Sequence, residues 1–369
     1  MKNLRAGLAI GTALTAMIAL SSCASNEGGG SGGSGSTSSS GAAASLSGTL
    51  NGVGSSAQSN AQTAWTKGFQ TSNSGVTINY DPSGSGAGRT AFIGGGADFA
   101  GSDSALKTEE LSSTFAACKD GTKGIDIPVY VSPIALVYNL DGVDTLNLDA
   151  PTLAKIFSGK ITTWNDKSIT ALNPDAKLPS TKITPVYRSD SSGTTTNFTD
   201  YLHTAAPSDW TNDPGDAFPY KTGEGAAKGS GIVAAVTAGK GSIGYVDNSS
   251  AGTLSTAGIQ VGSDYVKPSA EVASAAAEAA TVDTSREAND TVVTINRKPT
   301  DAKQYPVTLV SYLITCQTYK DTTKGGIVAA YAKYITSDAG QQEAASTAKS
   351  APLTGKIASS AQAAAATVK

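Results

Sequence analysis

Four times between residues 46 and 202 a short strand-like run ends in a turn rich in glycine, hydroxyls or both, and a stretch that suits a helix follows. Residues 46–51 lead through Gly52-Val53-Gly54-Ser55-Ser56 to 57–69. Residues 76–80 lead through Asp81-Pro82-Ser83-Gly84-Ser85-Gly86-Ala87-Gly88 to 89–94. Residues 97–101 end on Ser102-Asp103-Ser104 ahead of 108–117, and 183–187 lead through Arg188-Ser189-Asp190-Ser191-Ser192-Gly193-Thr194-Thr195-Thr196 to 197–202. Strands separated by helices cannot close as tight hairpins, and the expected fold is α/β with mainly parallel sheets. Helical patterns at 149–157, 229–238, 270–280, 326–335 and 339–348, with a short strand at 241–246, continue the alternation.

Two longer β-branched runs stand apart, at 127–139 with Pro128 and Pro133, and at 307–316. Prolines suit an extended crossing segment better than an interior strand. Two such runs let the chain leave a first domain and later return to it. Residues 45 to 369 also exceed what one core usually serves. The expectation is therefore two α/β lobes with a cleft between them, lobe 1 from 46–131 plus 310–369 and lobe 2 from 132–309. A disulfide between Cys118 and Cys316 is plausible and would place both in one domain.

The N-terminus has a different character. Lys2 and Arg5 precede an apolar run from residue 8 to 20, and Leu20-Ser21-Ser22-Cys23 closes it. The run is short for a membrane span and reads as a signal peptide over 1–22. Leu20-Ser21-Ser22-Cys23 resembles the lipobox of bacterial lipoproteins, which implies acylation of Cys23, with a palmitate-type lipid, and an extracytoplasmic protein anchored to the cell membrane. Residues 23–45 are mostly glycine, serine, threonine and alanine, a composition for a tether.

A net charge of −3 with 15% charged residues argues against nucleic acid as a partner. It does not exclude a small anion. The first turn of a helix exposes backbone N–H groups at the positive end of its dipole, glycine allows close approach, and serine and threonine add donors. Three such segments, 52–56, 84–88 and 191–196, stand at strand-to-helix switches. Arg188 could add a bidentate guanidinium, and Asp190 could hold it. Asp103 is either a helix N-cap or an acceptor for a proton carried by the ligand, which phosphate has and fully ionised sulfate lacks. Neither a P-loop nor a dinucleotide fingerprint is present, and a single histidine, His203, and three cysteines leave no expected metal site or cofactor. No Gly-x-Ser-x-Gly elbow places a base beside Ser85 or Ser192, so an enzyme is not expected.

The four turn segments, with Asp98-Phe99-Ala100-Gly101-Ser102-Asp103 for the third, resemble in order and spacing the PstS-type phosphate-binding proteins. Residues 156–166, Ile-Phe-Ser-Gly-Lys-Ile-Thr-Thr-Trp-Asn-Asp, and Ser242-Ile243-Gly244-Tyr245-Val246 look like two further hallmarks. The resemblance spans about 45 to 354. It implies the two-lobed, type II periplasmic-binding-protein fold with two hinge strands, and a monomeric substrate-binding protein that delivers inorganic phosphate to the permease subunits of an ABC importer. It also implies phosphate contacts at Ser56, Ser85, Asp103, Arg188, Ser192, Gly193 and Thr194, with Asp190 supporting Arg188. The stretch 270–301 has no assigned role.

Overall fold

The computed structural model describes residues 45–369; the expected signal peptide, Cys23 and nearly all of the tether lie outside the described residues. The chain opens with β1 (Gly48–Gly54), α1 (Ser59–Ser72), β2 (Val76–Asp81), α2 (Ser85–Ile93), β3 (Phe99–Ser102), α3 (Thr108–Leu111) and the long β4 (Gly124–Asn139). It continues through β5 (Asn147–Leu148), α4 (Ala150–Phe157), α5 (Lys167–Leu172), β6 (Thr184–Arg188), α6 (Gly193–Ala205), β7 (Glu224–Ala226), α7 (Lys228–Ala238) and β8 (Ser242–Asp247). Then come β9 (Ser255–Thr256), β10 (Gly258–Val261), β11 (Asp264–Val266), α8 (Ala270–Glu278), β12 (Thr281–Val282) and β13 (Val293–Thr294). The chain ends with β14 (Thr308–Cys316), α9 (Thr322–Thr336), α10 (Asp338–Ala348) and α11 (Gly355–Thr367).

Among the described residues the main sheet runs β2-β1-β3-β14-β4-β8-β6-β7, with β9 added to β4. Its outer pairs, β1 with β2 and β3, and β6 with β7 and β8, are parallel, as helical crossovers require. The centre is antiparallel, because β14 runs against both β3 and β4, and β4 against β8. The expectation of mainly parallel sheets therefore holds for the outer strands and fails in the middle, where the chain passes between the two halves.

Strand β4 makes that passage. Residues 124–133 pair with β14, and 134–139 pair with β8. Its prolines sit where the ladder is interrupted: the register with β14 shifts between Ser311 and Tyr312, opposite Tyr130 and Pro128, and Pro133 is the last residue before the partner changes. A missing N–H is tolerated at those points. The second long run keeps to the first half-sheet. From Thr308 onward β14 lies on 124–133, so the return passage falls just ahead of it, where the Tyr305 hydroxyl donates to the Ile134 carbonyl at 3.0 Å. Cys118 and Cys316 are disulfide-bonded, Cα atoms 5.2 Å apart, and tie the loop after α3 to the end of β14.

Several element boundaries differ from those read in the sequence. Gly52 and Gly54 belong to β1 rather than to a turn, because parallel pairing with β2 and β3 runs through both of them: Gly52 lies opposite Tyr80 and Phe99, and Gly54 opposite Gly101. Helix α2 starts at Ser85, so the glycine segment 84–88 is its first turn; the break is Gly84, with φ of +106°. The helix expected over 108–117 is only the single turn α3. The terminal alanine-rich stretch forms a further helix, α11, packed on α9 and β4. Residues 270–301, without an assigned role in the sequence, place α8 on β4. They also bring Arg286 to the buried Asp126 at the start of β4, 2.6 Å away.

Candidate functional site

The turn segments of the two half-sheets meet in one buried place. Ser56, Ser85, Asp103, Arg188, Ser192 and Thr194 are each at most 8% exposed. The Asp103 backbone N–H donates to the Ser85 Oγ at 3.1 Å, and the Thr194 hydroxyl donates to Asp103 Oδ2 at 2.9 Å. A Cβ on Gly193 would stand 2.8 Å from the Asp103 carbonyl carbon, the Ser104 nitrogen and the Ser85 Oγ, so only glycine allows this approach. The Gly229 N–H donates to the Ser56 Oγ at 3.1 Å, and the Gly86 N–H to the Ser191 carbonyl at 3.2 Å. All seven residues expected at the ligand site, and Asp190, are thus gathered here.

The donors have a common logic. Ser56, Ser85 and Ser192 each accept a backbone N–H, from Gly229, Asp103 and Thr195 respectively. A hydroxyl has one proton, and an N–H can only donate, so each serine keeps its proton for another acceptor. Gly193 and Thr194 are the first residues of α6, whose leading N–H groups have no partner within the helix. Thr194 gives its hydroxyl to Asp103, which leaves its backbone N–H as its contribution to an anion. Arg188 sends Nε and Nη2 to the two oxygens of Asp190, and among the described residues Nη1 makes no hydrogen bond to protein. Burial works to raise the Asp190 carboxyl, but the guanidinium outweighs it and holds the group below its ordinary range. Such a set suits an oxyanion.

Asp103 is not a helix cap. Its carboxylate accepts three hydroxyls, from Ser55 and Ser311 at 2.6 Å each and from Thr194. Its charge is felt nearby. Burial first, and then Asp103, pushes the Tyr80 phenol well up, and burial carries the Asp247 carboxyl to about 6, with a smaller push from Asp103.

Residues that sequence reasoning missed complete the site. Tyr245, inside the Gly-Tyr hallmark, accepts the Arg188 N–H at 3.1 Å and bonds Thr195 Oγ1 at 2.8 Å, which fixes the arginine's backbone to α6. Ser311 was visible only as the lone small hydroxyl between Val310 and Tyr312 in a β-branched run. Arg89, 1% exposed on α2, pairs with Glu110 and, across to the loop after α6, with Asp216. Lys107 joins Asp216 at 3.1 Å and the Ser104 hydroxyl donates to it at 3.2 Å. Burial raises the Asp216 carboxyl, yet Arg89 prevails and brings it to about 2. No sequence spacing links these residues.

Two α/β halves joined through β4, with helix starts from both facing a buried polar site, define a two-lobed periplasmic-type binding protein. Residues 39–339 match the model of the PBP superfamily domain. Phosphate-binding protein PstS 3 of Mycobacterium leprae is 41% identical over 287 residues, 77% of either chain, and that of Mycobacterium tuberculosis is 38% identical over 339 residues, 90% of either chain. Among solved structures, a periplasmic phosphate-binding protein (PfluDING) bound with phosphate superposes with a TM-score of 0.71 at 26% identity, covering 85% of this chain and 93% of its own. The chain belongs to the PstS-type phosphate-binding proteins of this superfamily.

Proposed function

We propose that this protein is the extracytoplasmic receptor of a phosphate ABC importer, a binding protein and not an enzyme. It takes up inorganic phosphate between lobe 1, the half that holds β1, β2, β3 and β14, and lobe 2, the half that holds β6, β7 and β8, and hands it to the permease subunits. The observation that carries this reading is the set of buried serine hydroxyls with unspent protons, Ser56, Ser85 and Ser192, beside the open edge of Arg188. Gly193 and Thr194 supply backbone N–H groups. Asp103 accepts a hydrogen bond from a protonated phosphate oxygen, and Asp190 keeps Arg188 in place.

Phosphate contacts helix starts from both lobes at once and so stabilises the closed form, which the permease recognises. The protein acts as a monomer, held at the cell membrane by lipid on Cys23. Curated relatives are phosphate-binding proteins, which favours transport over catalysis. Isothermal titration of protein lacking residues 1–23 with phosphate and with sulfate tests the reading. Phosphate binds and sulfate does not compete, and Arg188→Ala weakens phosphate binding by about 100-fold, from loss of a charge-assisted contact. An unchanged dissociation constant would remove Arg188 from the site.

A further inference from the structure

The hydroxyls on Asp103 Oδ1 have no freedom in which way their protons point. Ser55 Oγ accepts the Ala57 N–H at 3.0 Å, and Ser311 Oγ accepts Gln58 Nε2 at 2.6 Å. Both partners can only donate, so each serine directs its single proton to Asp103 Oδ1, 2.6 Å away.

The Gln58 amide cannot flip to relax this. Nε2 also donates to the Tyr312 carbonyl at 2.9 Å, while Oε1 accepts Gln62 Nε2 at 2.9 Å. Gln62 is fixed in turn, because only its Nε2 can donate to that oxygen, which leaves its Oε1 to accept the Tyr331 phenol at 2.8 Å. Tyr331, Gln62, Gln58 and Ser311 are each at most 1% exposed. Their hydrogen bonds form one buried chain from α9 through α1 to β14, with every proton aimed at the carboxylate.

We propose that Ser55 and Ser311, neither of which touches the ligand, are positioning residues that lock Asp103 as an obligate hydrogen-bond acceptor, and that this lock sets the discrimination against oxyanions carrying no proton. The inference rests on the reading that Asp103 faces the bound oxyanion. Oδ1 is filled by two donors. Oδ2 takes the Thr194 hydroxyl and retains acceptor capacity for a ligand. Three hydroxyl donors point at the carboxylate, the chain behind Ser311 leaves no member able to turn around, and the one acceptor position left open is the side of Oδ2 that faces the ligand. A ligand oxygen beside Oδ2 must then bring the proton itself. Monohydrogen and dihydrogen phosphate do so, whereas sulfate meets bare negative charge.

Removing the serines takes two hydrogen-bond donors from the carboxylate, and a carboxyl that carries a proton could donate to sulfate. The charged and titratable groups facing the site are Tyr80 on β2, Asp247 at the end of β8, Arg188 at the end of β6 and Asp190 just after it. Wild type and variants share them, so the difference between their pH profiles cancels their contribution.

The experiment is titration of phosphate and sulfate into wild type, Ser55→Ala/Ser311→Ala, Ser311→Thr and Asp103→Asn at pH 5, 6.5 and 8. Wild type excludes sulfate at every pH. The double variant keeps its selectivity at pH 8 and loses at least about tenfold of it at pH 5, the scale of a hydrogen bond to a charged group. Ser311→Thr, which keeps the hydroxyl, behaves as wild type, and Asp103→Asn loses selectivity at all three values. If the double variant loses phosphate and sulfate affinity in parallel, with a ratio independent of pH, the serines are only structural and the proposal is overturned. Should Asp103→Asn keep wild-type selectivity, the reading that Asp103 faces the ligand falls, and the lock with it. If the double variant does not fold, Ser311→Ala alone is judged by the same ratio.

Discussion

Replacing Asp216 by Asn tests whether the lobes close over a buried ion pair that phosphate never touches. Asp216 lies in the loop after α6, yet it pairs with Arg89 on α2 and with Lys107, both from the other half of the molecule. Its carboxyl stands at about 2 rather than 3.8, because Arg89 outweighs the burial that opposes ionisation. At 1.36 kcal/mol per pKa unit, this difference corresponds to roughly 2 kcal/mol at neutral pH. Asn is isosteric and its oxygen can still accept from Thr196 and Ser104, but its NH2 replaces the oxygen that accepts from Arg89 and Lys107, so the charge and that hydrogen bond are lost together. If the pair forms only on closure, that energy appears in ligand affinity, and the phosphate dissociation constant rises by about 30-fold. Thermal unfolding without phosphate then changes little. The assay is calorimetric titration at fixed moderate salt, beside melting curves with and without phosphate. A dissociation constant within twofold of wild type, with a melting point lowered by several degrees in the absence of phosphate, would refute the argument, since the pair would then be permanent. The sign with pH follows from a depressed carboxyl: the contribution is complete above the unfolded value of 3.8 and is lost as pH falls through about 2.

Gly193→Ala places a methyl group 2.8 Å from backbone atoms of Asp103 and Ser104, and closure is expected to suffer by about 1 to 3 kcal/mol, read as a phosphate affinity about 5- to 150-fold weaker with an intact circular dichroism spectrum. Asp247 has the opposite sign to Asp216. Its carboxyl is raised to about 6 by burial, so its favourable contribution is present below 3.8 and is lost as pH rises through about 6; melting curves of wild type and Asp247→Asn should converge or cross between pH 4 and 7.5. The Cys118–Cys316 bond spans 198 residues of sequence, and Cys118→Ser/Cys316→Ser is expected to lose about 2 to 5 kcal/mol in denaturant unfolding while phosphate binding in the folded protein persists.

Much of the site could be read in the chain because helix-start chemistry is local. Ser192 caps α6, Gly193 and Thr194 occupy its first turn, and Asp190 reaches Arg188 from two residues away; each relation spans a few residues. Boundaries were less legible. Gly52 and Gly54 look like a turn by composition, and pairing with β2 and β3 draws them into a strand. The prolines of β4 argue against an interior strand until the register shift and the change of partner are seen to accommodate them.

The alternation of strand, turn and helix, the helix starts that bear anion donors, and the family are all legible in the residues alone. These depend on side-chain sterics and backbone donors within one or two turns of chain. Which way the Asp103 carboxylate is held, and what pairs with Arg89, depend on long-range packing. Ser311 acts on Asp103 across 208 residues of sequence, and Asp216 on Arg89 across 127. Such separations carry no local signal, because the packing that brings β14 beside β3, and the loop after α6 beside α2, comes from burying apolar surface that many strands share.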